Sequence, residues 1–136
     1  MSHAWLRARA GHDFPVLARI GPRRVVRALA TMLRDNLDPA SSIAGIPRKL
    51  SAGLVFARTV GNVSLEAQLR SLGKLGGPAA DAAVEALARA ISPSPAVIDD
   101  GVLAQARTLA PAALVEVVAF VALMQLLHRA ESFYAA

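Results

Sequence analysis

Apolar residues recur every three or four positions along most of this chain, and proline, glycine and serine punctuate the runs. A short apolar segment, Val16, Leu17 and Ile20, is stopped by Gly21-Pro22. Proline suits a first helical turn, so a new helix is predicted from Pro22. Its apolar face holds Val25, Val26, Leu29, Met32 and Leu33, with Arg23, Arg24, Arg27 and Arg34 off that face. Asn36-Leu37-Asp38-Pro39 ends it, because the residue before proline avoids the α region. Residues 39–47 read as a loop. Pro47 then starts a helix with Leu50, Leu54, Val55, Ala57 and Val60 inside, which Gly61-Asn62 interrupts or kinks.

Ser64 is expected to cap a helix from Leu65 to Leu75 that frays at Gly73, Gly76 and Gly77. Pro78 opens another to about Ile91, with Val84, Leu87, Ala88 and Ile91 as its stripe. Ser92-Pro93-Ser94-Pro95 breaks the chain again, and Asp99 or Asp100 caps a short helix containing Val102, Leu103, Ala106 and Leu109. Pro111 starts the last helix, which runs to about Phe133. No segment reads as a strand and no fixed-period repeat occurs. The expectation is an all-α protein: a flexible arm over residues 1–13, then a single domain of about six helices over 14–136.

Composition agrees with this. Hydrophobic residues make up 54% of the 136 and aromatics only 4%, so alanine, leucine and valine must build the core. Such a mixture favours closely packed helices over sheets. From Ala112 to Leu127 the last helix is apolar nearly all round, interrupted by Glu116 and Gln125. That run falls short of the roughly 20 apolar residues a bilayer needs. It belongs in a core or a subunit interface, so a homo-oligomer is expected and no membrane partner. The N-terminus has no apolar leader, which points to the cytoplasm.

The absence of cysteine excludes disulfides, thiolate metal sites and a thiol redox pair. The net charge of +5 is lopsided: residues 1–60 carry ten Lys/Arg against three Asp, and residues 61–136 carry five against seven acids. Arg7, Arg9, Arg19, Arg23, Arg24 and Arg27 offer phosphate contacts, but no nucleic-acid motif accompanies them, and a solvated basic face is the simpler reading. On the last helix, Gln125, His128, Arg129 and Ser132 share a stripe, with Glu131 one turn from His128. A histidine beside a carboxylate suits acid–base work. Two such groups are too few for a metal site, and no metal or cofactor is expected. Glu116, in the first turns of the same helix, reads either as a buried acid with a raised pKa or, more simply, as a solvent-facing acid helped by the helix dipole. His3 and His12 lie in the arm without ligand-spaced partners. No GxSxG, GxGxxG or P-loop is present.

The stretch VEALARAISPSPAVIDDGVLAQARTLAPAALVEVVAFVALMQLLHRAESFY, from Val84, resembles the C-terminal part of the carboxymuconolactone decarboxylase/alkyl hydroperoxidase D (AhpD)-like superfamily. Asp99, Val102, Leu103, Glu116, Val117, Val118, Ala119, Ala122, Leu123, His128 and Arg129 carry the likeness. The resemblance implies an AhpD-like helical bundle assembled as a trimer or hexamer. It also implies a C-x-x-C-x-x-x-H motif, and the matching place holds Gly61, Ser64 and Gln68, so peroxidase chemistry drops out. A thiol-free homologue with a structural or ligand-binding role is the leading expectation. Its site is expected around Asn62, Ser64, Glu66 and Gln68, with His128 contributing. The alternatives are a decarboxylase or lactone-acting enzyme using Glu66 or His128 as acid–base groups, and a basic nucleic-acid-binding module.

Overall fold

In the computed structural model, which describes residues 2–11, 14–72, 81–93 and 95–134, every regular element is helical. The helices are α1 (Ser2–Ala10), α2 (Pro15–Ala18), α3 (Arg23–Leu37), α4 (Ile46–Thr59), α5 (Val63–Ser71), α6 (Ala82–Ile91), α7 (Asp100–Ala106) and α8 (Pro111–Tyr134), with a 3-10 turn at Pro39–Ser41. This is eight among the described residues against about six expected. The excess comes from α1 and α2 at the N-terminus.

The expected arm differs from what forms. Residues 2–10 are the helix α1, packed on α3, and Leu6 and Ala10 are buried there. Burying one leucine contributes about 1.5–3 kcal/mol. The Trp5 ring sits under the guanidinium groups of Arg9, at 5.2 Å, and Arg34, at 5.9 Å. Two apolar anchors four residues apart and one aromatic are a weak local pattern, which is why only packing reveals this helix. His12 and Asp13 lie outside the described residues.

The core is built on α4, which packs against α5, α6 and α8. Gly53 makes that approach feasible: a Cβ placed there would meet the Phe120 ring at 2.9 Å and Leu69 at 3.1 Å. Phe56 and Phe120 are fully enclosed with Leu33, Leu50, Leu65, Leu69 and Met124.

The chain reverses between α4 and α5 with two caps back to back. Gly61, at φ +69°, takes the left-handed conformation that closes α4. The Gly61 N–H bonds the Arg58 carbonyl and the Asn62 N–H bonds the Ala57 carbonyl, a Schellman closure. Asn62 then caps α5, its Oδ1 accepting from the Leu65 N–H at 2.9 Å. Asn62, not Ser64, is therefore the cap. Asp81 caps α6 and also pairs with Arg48 of α4 at 3.1 Å. Gly73, Gly76, Gly77 and Pro78, expected as a frayed end and a helix start, lie outside the described residues. Asp99 caps α7.

Helix α8 is long and apolar enough by length and composition to cross a membrane, and 39% of its most apolar window is buried in this chain. The whole helix is 24 residues long, Pro111–Tyr134, whereas its apolar run Ala112–Leu127 is shorter and its last turns carry His128, Arg129 and Glu131. Its inner side, Val117, Phe120, Val121, Met124 and Leu127, fills the core. Its outer side, Val115, Val118, Ala119, Ala122, Leu126 and Phe133, is exposed.

Candidate functional site

Three polar centres link elements far apart in sequence. The first joins the α4–α5 turn to α8. The Asn62 side-chain amide donates through Nδ2 to His128 Nδ1 at 3.0 Å and to Glu131 Oε1 at 3.2 Å. Glu131 is buried, and its other oxygen accepts from Arg19 at 2.9 Å.

The orientation of the Asn62 amide follows from its other contacts. Oδ1 is engaged by the Leu65 N–H, and the Glu131 carboxylate can only accept. Nδ2 must therefore be the atom facing His128. An N–H donor pointing at Nδ1 requires Nδ1 to be unprotonated, so the neutral His128 ring carries its proton on Nε2. Among the described residues Nε2 has no hydrogen-bond partner. The ring packs edge-on to Phe56 at 5.9 Å and lines a cavity of about 270 Å³ with Phe56, Thr59, Val60, Ser92, Gln125 and Arg129. Gln125 holds one wall, donating through Nε2 to the Ile91 carbonyl at 2.9 Å at the end of α6.

The other expected site residues are distributed differently. Gln68 is buried and turned away into the fold: its Oε1 accepts from the Val16 N–H at 2.8 Å, and its Nε2 donates to the Ser64 carbonyl and hydroxyl. Ser64 and Gln68 thus pin the start of α2 to α5. Glu66 faces Arg58 at 2.9 Å and Arg70 at 3.1 Å. The Arg58 hydrogen bond first, then that of Arg70, hold its carboxyl below the ordinary 4.5, against a smaller opposing effect of burial. It stays ionised near neutral pH and does not line the His128 cavity. The turn and α8 therefore bring Asn62 and His128 together, with Ser64, Glu66 and Gln68 engaged elsewhere.

The second centre is Gln68 with Val16, just described. The third is Glu116 with Lys49. Lys49 is buried, and its Nζ donates to Glu116 Oε1 at 2.8 Å and to the Asn36 carbonyl at 2.9 Å. Glu116 Oε2 accepts from the N–H groups of Ile43 and Ala44, and Ser42 Oγ donates to Oε1. Burial raises the Glu116 pKa, but Lys49 and the two backbone donors outweigh it and leave the carboxyl below 4.5. Glu116 is thus a tether for the 42–45 loop, where a solvent-facing acid had been expected. Every strong donor here is already used within the fold, so this centre is structural.

Among the described residues no three His, Asp or Glu side chains gather as a metal site. The sequence had flagged His128 with Glu131 as helix neighbours. The resemblance groups Asn62 with His128, but the hydrogen bonds by which Asn62 bridges His128 and Glu131 leave no local pattern, because they span 66 and 69 residues. No family model, curated protein or solved structure matches this chain.

Proposed function

We propose that this protein is a thiol-free homologue of the carboxymuconolactone decarboxylase/AhpD-like superfamily that binds a small organic anion in the cavity at His128. One observation carries the reading: the Asn62–His128 hydrogen bond at 3.0 Å joins the turn where the resemblance puts its reactive site to the helix that carries most of the likeness. The absence of cysteine removes peroxide reduction through a thiol pair. What remains in the cavity is an Nε2–H donor, the Arg129 cation at the rim and the apolar walls of Phe56 and Val60. That set suits a short carboxylate with an apolar body.

The outer stripe of α8 supports a homo-oligomer, and the resemblance implies a trimer or hexamer. Val115, Val118, Ala122 and Leu126 repeat at three- and four-residue spacing on one exposed side, with Phe133 two turns further along it, as in a helix–helix seam. Sedimentation of the intact protein tests this part. Three or six times the chain mass, reduced by Leu126→Glu, supports it, and a monomer or dimer at micromolar concentration rejects it.

A non-thiol enzyme is the second reading. The held tautomer of His128 makes it a proton or hydrogen-bond donor toward a substrate carbonyl, with Asn62 and Glu131 as positioning residues.

The binding reading is tested by titrating benzoate while following the His128 ring resonances, with a parallel peroxide-consumption assay in the presence of a dithiol. Saturable movement of His128, weakened by Arg129→Ala, and no peroxide turnover are expected. Unmoved His128 signals, or robust turnover, contradict the reading.

A further inference from the structure

A different and larger cavity, of about 420 Å³, opens between α1, α2 and the first turns of α3. None of its lining residues belongs to the His128 site, so it stands independently of the function proposed above. Leu17, Ile20 and Ala30, all buried, form its floor, and the half-buried Val26 forms a wall. Its rim carries Arg23 and Arg27, one helical turn apart on α3, with His3 and Ser2 of α1 opposite. Both arginines are exposed, and among the described residues no carboxylate pairs with either. The acids of the N-terminal half that are described, Asp35 and Asp38, sit at the far end of α3.

The size falls within the range of small-molecule sites, about 300–1,000 Å³. An aliphatic floor without aromatic residues favours an alkyl chain over a ring. Two guanidinium groups beside it favour a carboxylate head, which arginine can bind through paired N–H donors. We infer that this cavity is a binding site for a medium-chain aliphatic carboxylate, its chain on Leu17, Ile20 and Ala30 and its head between Arg23 and Arg27. The basic N-terminal half then owes part of its charge to a small-molecule site.

The test uses octanoate as the probe, added to the intact ¹⁵N-labelled protein and followed by amide shifts. Butyrate, inorganic phosphate and phosphatidylglycerol vesicles are run in parallel. Saturable octanoate binding is expected, mapped to residues 17–30, with butyrate several-fold weaker for want of apolar contact. Arg23→Ala and Arg27→Ala should each weaken octanoate several-fold, and the pair by about tenfold or more. Val26→Phe, which fills the wall without touching the charges, should block it in protein whose amide spectrum stays dispersed. The inference is overturned by no saturable octanoate binding, by equal binding of phosphate, by binding confined to the vesicles, or by octanoate affinity indifferent to the arginines in folded variants.

Discussion

The Lys49 ammonium lies 2.8 Å from the Glu116 carboxylate, and the same carboxylate holds the N–H groups of Ile43 and Ala44. One acid on α8 therefore fixes α4, the end of α3 through Asn36, and the loop between them. The lysine is nearly fully buried while the acid keeps 20% of its side-chain surface, so the two partners are not equivalent. Glu116→Ala strands a buried cation and frees the loop, and should cost about 3 kcal/mol. Lys49→Met leaves Glu116 with three other donors and should cost distinctly less. Urea unfolding of both variants checks the order. A Lys49→Met loss equal to or above that of Glu116→Ala contradicts it.

The same carboxylate sets an acid-side dependence. Its folded pKa lies below the ordinary value of 4.5. Its contribution is thus complete above the unfolded pKa and is lost as pH falls through the folded value. The urea midpoint should decline with acid below about pH 4.5. Glu116→Gln should flatten that decline, and an unchanged slope in the variant argues against the assignment.

Gln68 tests the division between scaffold and site. Its Oε1 is the acceptor for the buried Val16 N–H. Gln68→Ala orphans that donor, and the expected loss is about 1–3 kcal/mol. The His128 ring signals should not move, since Gln68 lies outside that cavity. A variant of normal stability with shifted His128 signals would place Gln68 in the site after all.

Glu66 should behave as an ordinary surface carboxylate between two arginines. Its carboxyl titration, followed by ¹³C NMR, should have a midpoint below 4.5 that rises in Arg58→Ala and at high salt. A midpoint near neutrality would restore it as an acid–base candidate.

Much of the architecture is legible in local pattern. Pro22, Pro47 and Pro111 mark the starts of α3, α4 and α8, Gly61 the end of α4, and Asp99 the cap of α7. Such signals act within one helical turn. Helix α1 escaped because its stability comes from Leu6 and Ala10 against α3, which leaves only a faint pattern in nine residues. The site was half legible. His128 and Asn62 could each be picked out as polar residues at a helix stripe and a turn. The resemblance groups them in one site, but no local pattern carries the hydrogen bonds that join them, which span 66 residues to His128, 69 to Glu131, and 112 from Arg19 to Glu131. Lys49 and Glu116 hid for the same reason: each looks like a surface charge until the loop folds over it.

The tautomer of His128 tests the account most directly. The ring nitrogens are read by long-range ¹H–¹⁵N correlation at a pH where the ring is neutral, in the native protein and in Asn62→Asp. Aspartate keeps the cap acceptor for Leu65 but has no N–H to offer His128 or Glu131. The native ring should show an unprotonated Nδ1 and a proton on Nε2, and Asn62→Asp should lose that preference while α5 stays folded. A native ring with its proton on Nδ1, or one indifferent to Asn62→Asp, would contradict the Asn62–His128 arrangement on which the site is built.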